Sequence, residues 1–138
     1  MDSATARRTL LAQHEQIRGH LAVCSKLAAS VRGGEPARAE LDAALAQLRG
    51  VFNDHNAFET EMVRPLLKGR PEWATTLVDR MLEEHVAEHA AFWELLVGSV
   101  DEVAAMMDDL VDELDAHMAA EERTFLNPQV LRDPPAPR

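Results

Sequence analysis

At 138 residues and 15.3 kDa the chain has the size of one ordinary domain, large enough to bury a core without disulfides. Hydrophobic residues make up 46% of it, Tyr is absent and Ala and Leu dominate, a composition that points to an all-α protein. A formal charge of -10 with no clustered arginines excludes a nucleic-acid or anionic-membrane partner, and the single cysteine, Cys24, excludes an intrachain disulfide or a cysteine-based metal site.

Proline and glycine cut the chain at Gly33-Gly34 with Pro36, from Pro65 to Pro71, at Gly98-Ser99 and at Pro128. Four helices are predicted between the cuts, over about 4–32, 36–64, 72–97 and 100–127. Ser99 with Glu102 forms a capping box for the last, and residues 128–138 form a Pro-rich tail outside a bundle domain of 1–127. The first helix carries the stripe Leu10, His14, Ile17, Leu21, Cys24, Ala28 and Val31; the second Leu41, Leu45, Leu48, Phe52, His55, Glu59 and Met62. The third gives Val78, Leu82, His85, His89, Phe92 and Leu96, and the fourth Val103, Met107, Leu110, Leu114, His117 and Glu121. Steps of three and four keep each stripe on one face, and four helices of equal length with short loops predict an antiparallel up-down-up-down bundle. No apolar run reaches the ~20 residues of a membrane span, and the N-terminus lacks the apolar stretch of a signal peptide, so the expectation is a cytoplasmic protein, monomeric or homodimeric.

Five of the six histidines and two glutamates stand in stripe positions that the pattern reserves for Leu, Val or Met. An unpaired buried carboxylate costs several kcal/mol or takes up a proton, so these groups need compensation, and divalent cations provide it. Depth along the bundle supports a meeting. With about 1.5 Å of rise per residue, His14, His55 and His117 each lie about 15 Å from the same end, with His85 and His89 slightly deeper and Glu59 and Glu121 one turn nearer that end. The i,i+4 pairs His55/Glu59, His85/His89 and His117/Glu121 each aim two donors at a common point, and His14 makes a seventh ligand. Two octahedral metals sharing five imidazoles, two bridging carboxylates and a bridging oxygen retain about one position for a small ligand.

His14, followed by H-x-x-x-E at His55/Glu59, H-x-x-x-H at His85/His89 and H-x-x-x-E at His117/Glu121, resembles hemerythrin and the hemerythrin-like HHE cation-binding domains over essentially residues 8–127. The resemblance implies a non-haem di-iron centre, with Mn or Zn as other occupants, in a four-helix bundle. Its ligand would be O2, NO or H2O2 and its electrons would come from an unidentified reductase. Oxygen-carrying hemerythrins usually have the last carboxylate one position later, as Asp; of Glu121 and Glu122, Glu121 continues the stripe. The function is expected to be binding of, or reaction with, the small ligand. The alternatives are an enzyme turning over peroxide or oxygen or donating iron for repair, and a helical interaction module with a vestigial site.

Other residues read more plainly. His20 lies off the stripe and is expected at the rim, while Glu61, Glu83, Glu84, Glu88 and Glu122 are expected on the solvated face, with Glu88 or Asp54 the alternative partners for a ligand imidazole. Phe52, Phe58, Phe92 and Phe125 bracket the ligands, Trp73 and Trp93 are expected to pack, and Cys24 is a small buried hydrophobe. The Glu-x-x-His of ferritin-like sites is absent. His85-Val-Ala-Glu88-His89 matches the H-x-x-E-H of inverted zinc peptidases but leaves His14, His55 and His117 unexplained.

Overall fold

The computed structural model describes residues 1–68, 75–124 and 126, and the side chains of these except 68 and 75–82. Helix α1 runs Ser3–Arg32, α2 Arg38–Phe58, α3 Arg64–Lys68, α4 Thr75–Leu96 and α5 Val100–Arg123, and a π-helical turn, Glu59–Val63, joins α2 to α3. They form the four-helix bundle that the stripes predict, with α2, the π turn and α3 serving as one rod. In the loop after α1, Gly34 has φ +83°, a conformation in which a Cβ would be strained. Asp2 caps α1 by accepting from Thr5 N at 2.7 Å, and the Ser99 hydroxyl accepts from Glu102 N at 3.2 Å at the start of α5.

Cross-helix contacts set the directions. Arg32 at the end of α1 donates to the Ala104 carbonyl near the start of α5, and Arg38 pairs with Asp101 at 2.7 Å, so the 33–37 loop and the start of α5 share one end of the bundle. Ala6 and Leu10 of α1 cluster with Val63, Leu67 and Leu126 at the other end. Helices α1 and α5 are therefore antiparallel. So are α2 and α4, whose Arg49 donates to the Leu96 carbonyl at 3.2 Å while Glu59 meets His85.

The larger apolar cluster, from Ile17, Leu21, Cys24, Leu41, Leu45, Leu48 and Phe52 to Leu96, Met107, Leu110 and Leu114, occupies the half of the bundle towards the 33–37 loop. The smaller one closes the opposite end. His14, His55, Glu59, His89, His117 and Glu121 are buried between the two. Polar side chains thus make one layer across an otherwise apolar interior.

Two boundaries differ from those predicted. Pro65 does not end the second helix, which passes through it to Lys68. The prolyl ring lacks an N–H and crowds the carbonyl of the preceding turn; the wide π turn just before it, in which Arg64 N donates to the Glu59 carbonyl, accommodates that crowding. The extra residue in the turn also rotates the buried face. After Glu59 it is Val63 and Leu67 that are buried, whereas Met62, expected on the stripe, is only partly so. Helix α5 ends at Arg123, where Thr124 N caps the Ala120 and Glu121 carbonyls, about one turn before the predicted end. Trp93, expected to pack, is an exposed residue of α4, as is Val86, and Val97 just after the helix is exposed too. Trp73, Phe125, the tail 128–138 and the ends of the third and fourth predicted helices at 72–74 and 125–127 lie outside the described residues, Leu126 excepted, as do the side chains of Val78 and Leu82.

Candidate metal centre

The seven stripe residues converge. Glu121, only 2% exposed, stands in the middle and its two oxygens face different imidazoles. Oε2 lies 2.8 Å from His14 Nε2 and 3.9 Å from His55 Nε2. Oε1 lies 2.8 Å from Nε2 of both His85 and His117 and 3.7 Å from that of His89. Glu59 supplies the second carboxylate, its Oε2 being 2.6 Å from His85 Nε2, 3.5 Å from His89 Nε2 and 3.6 Å from His55 Nε2. All five imidazoles therefore point Nε2 at the carboxylate pair. Two sets of ligand-type atoms lie close enough to hold an ion: His85, His89, His117 and Glu121, and His55, Glu59, His89 and Glu121.

Acceptors on the outer side fix the rings. His14 Nδ1 donates to Glu122 Oε2 at 3.0 Å, His55 Nδ1 to Gln13 Oε1 at 2.9 Å, and His117 Nδ1 to Glu88 Oε2. A ring whose Nδ1–H is committed outward keeps its Nε2 lone pair for the interior when neutral, the arrangement by which metal-binding histidines are oriented. Arg18 braces the first of these acceptors, with its Nη2 donating to both oxygens of Glu122 at 2.8 and 3.1 Å.

Without a cation the layer is left to balance itself with protons. Burial opposes charge on the His85 ring, yet its bonds to Glu121 and Glu59 prevail and raise its pKa to about 10. His14 is likewise raised against its burial, by Glu121 and Glu122. Burial pushes Glu59 up to about 7 and His55 down to about 3. Glu121, although burial would raise it, is held well below the usual carboxylate range by bonds to His117, His14, His85 and His89. Even so, Glu59 Oε1 is buried without a hydrogen-bond donor, and the Nε2 atoms of His89 and His117, 3.0 Å apart, have room for one proton between them. Acceptors in excess of protons, in a dry layer, suit divalent cations.

Of the charges expected on the solvated face, Glu61, Glu83, Glu84 and Glu88 are exposed and Glu122 is half-buried, and Glu88 and Glu122 also hold ligand-type imidazoles. An i,i+4 reading of inward donors gives no rule for what a ring's outer nitrogen meets, so this signal is weak in sequence. Gln13 was without a signal at all: it is simply the neighbour of His14 that faces α2. Asp54 is exposed and His20 is half-buried; neither His20 nor His14 belongs to the two sets of grouped ligand atoms, but His14 reaches the layer through Glu121 Oε2 at 2.8 Å. Phe52 and Phe92 pack edge-on against His89 and His117, with ring centroids at 5.6 and 5.4 Å, as bracketing residues should. Phe58 joins the smaller apolar cluster and Cys24 is fully buried in the larger, where desolvation raises its thiol pKa to about 11. No helix is long and apolar enough to cross a membrane among the described residues.

The family model of the Hemerythrin HHE cation binding domain matches residues 5–127. Among curated proteins and among solved structures, neither comparison finds a match for the chain.

Proposed function

Because the chain belongs to the hemerythrin HHE cation-binding domain family, we propose that this layer holds two iron ions and that the pair binds, or reacts with, O2, NO or H2O2. The observation that carries the reading is the division of the imidazoles by Glu121. One of its oxygens faces His14 and His55, and the other faces His85, His89 and His117. A carboxylate so placed would be shared by the two ions, and Glu59, whose Oε2 is near His55 on one side and His85 and His89 on the other, would be the second shared group. The His14 and His55 side of Glu121 offers one nitrogen fewer than the side with His85, His89 and His117, which would leave a position there for a small ligand.

The donor set fits iron, and equally Mn or Zn. When bound, an iron or manganese pair would supply electrons and an open coordination position, and a zinc pair only the latter. The chain does the remainder. Glu122, Gln13 and Glu88 keep three rings in the tautomer that presents Nε2, and the protons that His14 and His85 share with the carboxylates leave as cations arrive. Val63, Leu67 and Val86 line a cavity of about 20 Å³ beside Glu59, His85 and His89. That is room for about one small molecule, with Thr60 and Arg64 completing the lining. The large apolar cluster excludes water from the other side of the layer.

Glu59→Ala tests the assignment. It should abolish the paired ions, while His20→Ala, a change outside the layer, should keep metal content near two per chain. Full metal content in Glu59→Ala would refute the assignment of Glu59.

A further inference from the structure

The groups that hold the outer nitrogens of the histidines are not alike. His14 and Arg18 stand one turn apart on α1, so their side chains share a face, and both reach Glu122 on α5. His14 Nδ1 donates to Glu122 Oε2 at 3.0 Å, while Nη2 of Arg18 donates to the same oxygen at 2.8 Å and to Oε1 at 3.1 Å. Nη1 of Arg18 is committed to Glu15 at 2.7 Å, and its Nε stands 4.0 Å from Asp115. His55, on the same side of Glu121 as His14, relies on the neutral amide of Gln13. On the opposite side His117 donates to Glu88, and among the described residues Glu88 has no Arg or Lys partner.

Glu88 serves as an internal control for Arg18. Its side chain is 55% exposed against 28% for that of Glu122, yet it stays on its imidazole with no guanidinium behind it. Bracing alone therefore does not account for Arg18. A carboxylate that accepts from a ring N–H makes the other ring nitrogen a stronger donor to a metal. A guanidinium that takes both carboxylate oxygens competes for their lone pairs and offsets the charge, so the effect on the ring is muted. The outer shell of His14 and His55 is then a neutral amide and a compensated carboxylate, whereas that of His117 is an uncompensated one.

We propose that Arg18 is a positioning residue of the metal layer that acts through Glu122: it draws charge from the carboxylate behind His14 and keeps the metal position facing His14 and His55 the weaker of the two. The proposal rests on the metal-site reading above. It has the layer fill in two steps, with the side of His85, His89 and His117 occupied first and the side of His14 and His55 second.

Titration of the metal-free protein with Co(II) against a chelator of known affinity, followed by the visible absorption of the bound ion, reads both steps. A half-exposed ion pair moves an equilibrium by about fivefold at most, so Arg18→Met should tighten the weaker Co(II) step about three- to fivefold and leave the stronger within about twofold. The sign is diagnostic, because damage to the fold only weakens a site. Arg18→Gln should give the same shift, and Arg18→Lys, which retains a cation, a smaller one. In a Glu122→Gln background Arg18→Met should move the weaker step by less than about twofold, since the carboxylate through which it acts is gone. Weaker or unaltered binding in both Arg18→Met and Arg18→Gln, an equal shift of both steps, or tightening that persists in full beside Glu122→Gln would overturn the role of Arg18 while leaving the site standing. Absence of any Co(II) binding by the unaltered protein would overturn the site reading and this role with it.

Discussion

Gln13→Leu removes the acceptor that orients His55 while leaving every inward-facing group in place. His55 is 1% exposed, and its Nδ1–H donates to Gln13 Oε1 at 2.9 Å. Leucine offers no acceptor, so the variant strands a donor on a buried ring, at a cost of about 1–3 kcal/mol. Loss of an outer partner of a metal-bound histidine typically weakens metal binding about 10- to 100-fold, and at about 1.4 kcal/mol per tenfold the two scales agree on roughly 2 kcal/mol. Competition against a chelator of known affinity reads this directly: the variant should lose metal about 30-fold more readily than the unaltered protein. Gln13→Glu, which keeps an acceptor at the same place, should recover most of the loss. Unaltered affinity in Gln13→Leu would refute the claim that the outer nitrogen of His55 is held for the sake of the inner one.

The metal-free protein should lose stability as pH rises from about 6.5 to 10. His85 titrates in the folded state at about 10, above its ordinary 6.5, so its contribution is complete below 6.5 and vanishes as pH passes through 10; His14, also raised, acts in the same direction. Thermal melts across that range should show a falling Tm, and bound metal, which needs those nitrogens unprotonated, should abolish the fall. Leu45→Ala removes a fully buried side chain of the larger cluster, away from the metal layer, and should cost about 2–5 kcal/mol in denaturant melts without changing the number of metal ions bound. Sustained oxygen evolution from peroxide would favour an enzyme, whereas spectra that survive repeated cycles of deoxygenation would favour reversible carriage.

The stripes made the bundle and the seven inward residues legible because a helix brings i and i+4 to one face, and a His or Glu there is conspicuous among Leu and Val. The antiparallel order followed from equal segment lengths, and Arg32 over Ala104 and Arg49 over Leu96 carry it out in the structure. What escaped the pattern escaped for physical reasons. A proline ordinarily ends a helix, and nothing in the run from Glu59 to Arg64 announces that a π turn will absorb Pro65 and move the buried face from Met62 to Val63. Glu88 and Glu122 look like other surface charges of an acidic chain; their roles depend on how two helices meet, a property of tertiary packing. Trp93 sits next to Phe92 in sequence but a third of a turn away around α4, and that rotation separates a buried ring from an exposed one.

Elemental analysis of protein purified from iron-supplemented cells, with an optical spectrum taken before and after dithionite and then air or peroxide, tests the central claim most directly. Near two irons per chain, with charge-transfer bands of an oxo-bridged pair that bleach on reduction and return on oxidation, is the predicted result. A chain that carries no metal, or a single zinc ion with no such bands, would contradict it.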